Sequence, residues 1–255
     1  MSRSRRHGPA GTLSAALEER LALMAPARRL RLALANRIVT DYAGERPIRV
    51  LDAGAGDGLL SLALAKRHPA WSLLGLDFRE RLLDGARARA QARSLGNARF
   101  QPADLTRPLP ESGFDVVLAL ECLSEISDDE AALRSMAAAL APDGLLVVQV
   151  PGHDWEPVLP GSAPTWRHQV RQGYSSDDLV AKLRRAGLDR IAVRPTYHAP
   201  VVLAQEATDR IKRAPVAIRA AAFPLMAAPV RLERWGATAG RPRALIATAR
   251  RAQGA

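Results

Sequence analysis

The sequence predicts an α/β fold, in which a doubly wound, mostly parallel sheet carries helices on both faces. Short apolar runs alternate with stretches of helical periodicity from residue 48 to residue 150, and each parallel step of a sheet needs such a crossover. A glycine-rich turn joins the first apolar run to the helix after it. The chain has 255 residues, of which 47% are hydrophobic, so it is long enough to bury a large core.

Residues 1–45 are predicted to form a basic arm and a helical lead-in. Apolar residues recur at helical spacing over residues 13–43, and Pro26 is expected to divide them into two helices. The first residues are basic, but charged residues such as Glu18 fall where a signal peptide needs an apolar stretch. We therefore expect a cytoplasmic protein.

Residues 46–255 are predicted to be one domain built around the sheet. Its strands are expected at residues 48–53, 71–77, 98–101, 114–120, 144–150, 188–193 and 244–249. Its helices are expected at residues 59–67, 79–94 and 128–140, with a further helix that starts after the capping Ser175 and ends at Arg185.

Two segments after the fifth predicted strand are expected to be additions to the sheet. Residues 151–174 are rich in proline and glycine, and they are predicted to form a lid where open α/β sheets bind ligands. Residues 201–235 are predicted to be a helical insert, broken into short pieces by Pro215, Pro224 and Pro229. The insert mixes apolar and basic residues, which suits either a cover on the sheet or an interfacial helix against anionic lipid.

The net charge of +11 is concentrated in the flanks of the chain. Residues 1–49 carry +6 and residues 189–255 carry +8, whereas residues 50–188 carry −3. This distribution fits either an anionic partner that meets the flanks or general solubility. Peripheral contact with an anionic membrane is therefore one prediction, and the oligomeric state is left open.

The glycine-rich turn is the strongest chemical signal. Gly54, Gly56 and Gly58 follow a strand and precede a helix, and Asp77 ends the next strand, where a ribose would need an acceptor. The final glycine of a pyrophosphate-binding fingerprint is displaced, and the Asp52 carboxylate would repel a pyrophosphate. These details favour a ligand with a cationic amino-acid end over a dinucleotide.

Five segments in order resemble the class I S-adenosylmethionine-dependent methyltransferases, which have a Rossmann-like fold. They begin with Val50-Leu-Asp-Ala-Gly-Ala-Gly-Asp-Gly and continue with Leu74-Gly-Leu-Asp, Gln101-Pro-Ala-Asp-Leu, Phe114-Asp-Val-Val-Leu-Ala and Leu140-Ala-Pro-Asp-Gly-Leu-Leu-Val-Val. The resemblance implies that S-adenosylmethionine is the cofactor. It also implies that the cofactor-binding residues are Asp52, Ala53, Gly54, Gly56, Gly58, Asp77, Phe78, Asp104, Leu105 and Leu120.

Within that resemblance, Asp52 and the glycine turn face the methionine part, Asp77 binds the ribose, and Asp104 with Leu105 lies against the adenine. Leu120 ends the fourth strand beside the expected methyl group. Many relatives have Glu-His in the segment that here contains Glu125, so no histidine base is carried over from them.

Methyl transfer needs a general base only for some acceptors, because the sulfonium already activates the methyl carbon. The candidates for this role are His153 after the fifth strand, His168 and Tyr174 in the lid, and Glu121 after the fourth strand. No spacing of histidines suggests a metal site, and a single cysteine forms no intrachain disulfide.

The predicted function is methyl transfer to a small-molecule, saccharide or lipid-linked acceptor. The segment from Trp166 to Ser175 looks like the acceptor side of small-molecule and saccharide enzymes of this class. One alternative is a nucleic-acid methyltransferase, although the sequence has no Asn-Pro-Pro-Tyr type tetrad after the fourth strand and no recognition module. Another is a nicotinamide-dependent oxidoreductase or a nucleotide-binding module without activity.

Overall fold

The computed structural model describes residues 25–154, 156–162, 169–234 and 242–251. Within them, seven strands form one sheet: β1 (Arg49–Ala53), β2 (Ser72–Asp77), β3 (Ala98–Pro102), β4 (Phe114–Leu120), β5 (Leu140–Pro151), β6 (Leu188–Thr196) and β7 (Ala244–Arg251). The helices are α1 (Pro26–Ala43), α2 (Leu59–Arg67), α3 (Glu80–Ala92), α4 (Asp129–Ala139), α5 (Ser176–Arg185), α6 (Ala199–Ile211) and α7 (Val216–Arg234). A short 3-10 turn covers Leu123–Glu125.

The strand order across the sheet is β3-β2-β1-β4-β5-β7-β6. Strands β1 to β5 pair in parallel, and β7 runs antiparallel to both β5 and β6. The winding direction reverses between β1 and β4, which opens a crevice at their carboxyl ends. This topology confirms the predicted doubly wound, mostly parallel sheet.

Apolar residues that alternate along the central strands bury both faces of the sheet. Leu51 and Val117 face one core, which α4 and α5 cover. Val50 and Leu118 face the other core, which α1, α2 and α3 cover. Because successive strand residues point to opposite faces, Asp52 lies on the same face as Val50, towards α1 and α2.

The lead-in helix α1 is part of the packed structure. It begins at Pro26, which fits the first turn of a helix because proline has no N–H to leave unpaired. Leu30 packs in a cluster with Tyr197, Val201 and Val230. Helix α1 thus lies between the sheet and the C-terminal helices and reaches the end of the sheet where the glycine turn lies.

Two predicted elements differ most from the structure. The fifth strand begins at Leu140 and not at Gly144, because Leu140 already pairs with Phe114 before the register shifts. Pro215 separates α6 from α7, as predicted. Helix α7 continues through Pro224 and Pro229, so the prediction that these two prolines break the segment is wrong. Packing of α7 against α6 and α1 offsets the backbone hydrogen bonds that each proline removes.

No helix within the described residues is long and apolar enough to cross a membrane.

Candidate functional site

A cavity of about 330 Å³ lies at the carboxyl ends of β1, β2 and β3. Its walls come from the turns that follow these strands and from the turn after β4. The lining residues are Gly54, Asp77, Phe78, Arg79, Ala103, Asp104, Leu105, Cys122, Glu125 and Ile126. The structure therefore brings together five of the predicted cofactor-binding residues, which lie up to 51 positions apart in the sequence.

The glycine turn owes its composition to backbone conformation and close packing. Gly54, Gly56 and Gly58 have φ values of 81°, 56° and 71°, a region that side chains with a Cβ atom rarely adopt. A Cβ atom on Gly54 would lie 2.4 Å from the Cβ atom of Cys122, and one on Gly58 would lie 2.5 Å from that of Ala86. Two of the three glycines therefore let the turn pack against neighbouring segments.

Asp77 is the most heavily hydrogen-bonded carboxylate of the cavity. The Gly56 N–H donates to its Oδ2 at 2.8 Å, and the Arg79 N–H donates to its Oδ1 at 2.9 Å. The Arg79 side chain donates from Nε to Oδ1 at 3.0 Å and from Nη2 to Oδ2 at 3.2 Å. Burial alone raises the pKa of Asp77, but the bonds from Arg79 and Gly56 bring it below the ordinary value. The carboxylate is thus ionised and tied to the glycine turn.

The outer wall of the cavity combines an exposed ring with a polar and an apolar residue. The Phe78 side chain is 70% exposed at the mouth of the cavity, and the Arg79 guanidinium lies 5.2 Å from its ring centre. Asp104 accepts hydrogen bonds from the Thr106 hydroxyl at 2.7 Å and the Thr106 N–H at 2.9 Å, which lower its pKa. Leu105 is buried. This wall offers a flat apolar surface beside a hydrogen-bond acceptor.

Asp52 does not line the cavity, so its predicted place beside the methionine part of the cofactor stays a prediction. Strand alternation directs it towards α2, where the Ser61 hydroxyl donates a hydrogen bond to its Oδ2. Burial raises the pKa of Asp52 to about 6, although the Ser61 bond and Arg31 act in the opposite direction. Its carboxylate therefore lies behind the glycine turn, between the sheet and α2.

We expect Asp52→Asn to stabilise the protein at pH 7 by about 2 kcal/mol. The pKa is raised from 3.8 to about 6, so the native state binds more protons than the unfolded state between these values. The contribution of Asp52 to the free energy of unfolding is therefore fully present below pH 4, where the carboxyl is protonated, and is lost as the pH rises through 6. Thermal unfolding of both proteins from pH 4 to pH 7.5 checks this, and a midpoint difference that does not change with pH would contradict it.

A second group of polar residues lies beside the crevice, where α1 crosses the ends of β4 and β5. The Arg31 guanidinium is 3.7 Å from the Glu121 carboxylate. Gln149 of β5 is completely buried, and its amide lies close to the Tyr197 phenol. The Tyr197 hydroxyl donates to the Ala27 carbonyl at 2.9 Å. We call Arg31, Glu121, Gln149 and Tyr197 the buried polar cluster, in which the Arg31 and Glu121 side chains keep 23% and 12% of their surface exposed.

The buried polar cluster is incompletely satisfied and conformationally strained. Among the described residues, no hydrogen bond of good geometry reaches Arg31 Nε, Glu121 Oε1 or either polar atom of the Gln149 amide, although such atoms are nearly always paired in native proteins. Glu121 and Tyr197 have positive φ values of 68° and 58°, which cost energy in residues other than glycine. Burial raises the pKa of Glu121. These features are typical of a site that a polar ligand completes.

The predicted catalytic residues have different environments. Glu121 belongs to the buried polar cluster. Tyr174 is buried, and its hydroxyl donates to Asp129 Oδ2 at 2.8 Å and to the Leu123 carbonyl at 3.2 Å. The expectation of a lid base is wrong for Tyr174, since burial and Asp129 raise the pKa of its phenol. His153 is exposed beyond β5, and His168 lies outside the described residues.

Two further predicted cofactor residues are buried at the ends of the strands that border the crevice. Ala53 and Leu120 end β1 and β4 and are buried, and the Ala53 carbonyl accepts a hydrogen bond from the Cys122 thiol at 3.2 Å. The described residues contain no group of three or more side chains suited to a metal ion.

Sequence reasoning missed two arginines. Arg31 is one of several arginines on α1, and only the tertiary packing separates it from the others. Arg79 follows Asp77 and Phe78 directly, so its position after the second strand was an available signal. It also lies 3.7 Å from Glu125.

Comparison with known families identifies the central part of the chain. A family model described as a methyltransferase domain matches residues 50–144. Demethylmenaquinone methyltransferase of Thermus thermophilus is 40% identical over 115 residues, which cover 44% of this chain and 52% of that protein. Ubiquinone biosynthesis O-methyltransferase of Neisseria meningitidis is 28% identical over 173 residues, 63% of this chain and 72% of that protein. The chain thus spans about half the length of the first of these relatives.

Solved structures support the fold. The cyclase SpnF superposes with a TM-score of 0.62 at 23% identity, over 86% of this chain and 81% of that one. At this identity the likeness concerns architecture alone.

Proposed function

We propose that this chain is a class I S-adenosylmethionine-dependent methyltransferase, which binds S-adenosylmethionine in the crevice and transfers its methyl group to a small-molecule acceptor. The observation that carries the proposal is the cavity in which Asp77, Phe78, Asp104 and Leu105 meet beside the glycine turn. Methyltransferases of quinone pathways among the relatives support a small-molecule acceptor. Two other acceptor types, saccharide and lipid-linked, belong to the same proposal.

The adenosine end of the cofactor fits the cavity. Asp77 presents two carboxylate oxygens to a ribose diol, and Asp104 accepts a hydrogen bond from an exocyclic amine. The exposed Phe78 ring and the apolar Leu105 side chain would lie against the adenine, which prefers flat apolar contacts. A volume of about 330 Å³ is at the lower end of the range for small-molecule sites, as expected for a cavity that takes the nucleoside part alone.

The amino-acid end of the cofactor fits the buried polar cluster. A methionine zwitterion carries one carboxylate and one ammonium, and Arg31 with Glu121 offers the complementary pair. These two side chains are 3.7 Å apart, which is longer than a charge-assisted hydrogen bond, and each has a buried polar atom that makes no hydrogen bond with the described residues. The zwitterion would complete both groups.

Arg79 occupies the acceptor sites that a ribose diol would use. Its Nε and Nη2 donate to the two oxygens of Asp77, so cofactor binding must displace them. Glu125, 3.7 Å from the same guanidinium, is the carboxylate to which Arg79 can turn.

We expect Arg79→Met to tighten the binding of S-adenosylhomocysteine by about tenfold, because the competing charge-assisted hydrogen bonds are removed. Titration calorimetry measures this. Arg81→Met, at an exposed position two residues further along, is the matched control and leaves the affinity unchanged. Weaker binding after Arg79→Met would mean that this arginine supports the cofactor.

The Glu121→Gln variant distinguishes the contacts of the amino-acid end of the cofactor from those of the nucleoside end. Loss of the negative charge is expected to weaken S-adenosylhomocysteine binding by about tenfold, because a charged hydrogen bond to the ammonium is lost. Methylthioadenosine lacks the amino-acid end, so its affinity should stay unchanged in the same variant. Glu45→Gln, at an exposed residue, serves as the control, and an equal loss for both ligands would contradict the assignment.

The reaction requires little chemistry from the protein. The bound sulfonium supplies a methyl carbon with a good leaving group, which becomes a neutral thioether when the acceptor lone pair attacks in line. The chain positions the two reactants, excludes water, and accepts the acceptor proton where a hydroxyl is methylated.

Turnover of methyl-labelled S-adenosylmethionine tests the proposal. The chain is incubated with separate panels of phenols and hydroquinones, carboxylic acids, amines and saccharides, and release of S-adenosylhomocysteine is measured. Transfer to members of one small-molecule panel is expected. Label that enters only added DNA or RNA would instead support a nucleic-acid methyltransferase.

A further inference from the structure

Helix α7 exposes a row of large apolar side chains on its outer face. Leu225 is 81% exposed, Ile218 is 54% exposed and Leu232 is 49% exposed. The three residues are spaced by seven, and positions seven apart lie within about 20° of each other around an α-helix. They therefore form one continuous stripe, which we call the α7 stripe.

The opposite face of α7 is the one that packs against the protein. Ala227 and Val230 are buried there, and the helix contacts α6 and α1. A surface helix normally turns its apolar residues to the core and its polar residues to water. Helix α7 is apolar on both faces, and the described parts of the chain leave its outer stripe exposed.

Basic residues surround the stripe, and the three acidic residues of the same segment offset little of their charge. Asp209 lies 3.9 Å from Lys212, and the other two accept hydrogen bonds from backbone N–H groups. Lys212, Arg213 and Arg231 are exposed. Glu206 is buried and accepts hydrogen bonds from the Val158 and Leu159 N–H groups. Glu233, whose side chain is 8% exposed, accepts from the Tyr197 N–H at 2.7 Å and the His198 N–H at 3.1 Å. This arrangement gives the outer surface of α7 and the preceding turn a positive charge.

We propose that the α7 stripe and its flanking bases dock on an anionic lipid surface. An apolar stripe flanked by Lys and Arg matches a helix that lies in the plane of a bilayer, with its apolar side chains among the acyl chains and its bases at the headgroups. A second copy of this chain would bring the same bases face to face, which disfavours a homodimer through this face. The inference does not depend on the identity of the methyl acceptor.

Docking would also orient the crevice. Glu233 ties α7 to Tyr197 and His198, and Tyr197 belongs to the buried polar cluster. The lipid-facing helix is thus connected directly to the end of β6, beside the expected acceptor side. An amphiphilic acceptor dissolved in the bilayer would meet the enzyme at this edge.

Co-sedimentation with vesicles tests the inference. The full chain is mixed with vesicles of phosphatidylcholine alone or of phosphatidylcholine with phosphatidylglycerol. We expect binding to the anionic vesicles that weakens as salt is added. Leu225→Glu should lower the partition coefficient about tenfold by placing a charge in the apolar face. Arg213→Gln and Arg231→Gln should each lower it about fivefold.

The matched control is Leu82→Glu, which places the same charge at an exposed leucine of α3. It should bind vesicles as the unaltered chain does. All variants are first shown to bind S-adenosylhomocysteine with unchanged affinity, so a folding defect is detected separately. Equal binding to both vesicle types, no binding, or self-association that Leu225→Glu abolishes would each overturn the inference.

Discussion

Replacing Asp77 by asparagine is expected to weaken the binding of S-adenosylhomocysteine by about one hundredfold. In the proposed complex, both carboxylate oxygens accept hydrogen bonds from the ribose, and each charge-assisted bond contributes about 1.5 kcal/mol or more. Asparagine keeps the volume but presents one acceptor and no charge. Methylthioadenosine, which contains the same ribose, should lose affinity to the same extent. Titration calorimetry of both ligands measures the two losses.

Two controls separate the loss of ribose contacts from a general effect of charge and from unfolding of the variant. Asp84→Asn changes an exposed aspartate on α3 that pairs with Arg87, and it should leave both affinities unchanged. Because Asp77 also accepts bonds from Gly56 and Arg79, thermal unfolding is recorded for each variant. If a well-folded Asp77→Asn protein retained the affinity of the unaltered chain, the ribose assignment would be wrong.

Replacing Gly54 by alanine is expected to destabilise the fold by about 3 kcal/mol and to lower the melting temperature by roughly 10 °C. Its φ of 81° is unfavourable for alanine, and the added Cβ would lie 2.4 Å from the Cβ atom of Cys122. Cys122→Ala should not rescue the variant, since it leaves that Cβ in place, whereas Cys122→Gly should recover the part of the loss that this contact causes.

Gly44→Ala provides the matched control for this substitution. Gly44 also has a positive φ of 58°, but no heavy atom lies within 4 Å of a Cβ at this position. It should therefore cost about 1 kcal/mol, the conformational term alone. Differential scanning calorimetry compares the two variants. Equal losses in the free energy of unfolding would show that the contact with Cys122 adds nothing to the cost of Gly54→Ala.

Much of the fold follows from local patterns in the sequence. The central strands are apolar runs between turn residues, and the glycine turn marks the passage from β1 to α2. Helix α7 could not be predicted in this way, because the propensities of Pro224 and Pro229 oppose a continuous helix and only its packing on α6 and α1 favours one.

The candidate site could be predicted where its residues follow strands in recognisable motifs, as Asp77 and Asp104 do. Tyr174 shows where such reasoning stops. It belongs to a segment beside the crevice, but a buried bond to Asp129 directs its side chain elsewhere. Arg31 enters the site through tertiary packing of α1, which no local pattern specifies.

The fold alone does not determine the reaction, since a cyclase shares it. The identity of the cofactor therefore decides the class of reaction. The residues of the cavity and of the buried polar cluster provide groups complementary to S-adenosylmethionine. Parallel calorimetric titrations of the full chain with S-adenosylhomocysteine and with NAD test it most directly. We predict saturable binding of S-adenosylhomocysteine at one site per chain and no heat of binding with NAD. Saturable binding of NAD without any response to S-adenosylhomocysteine would contradict the account.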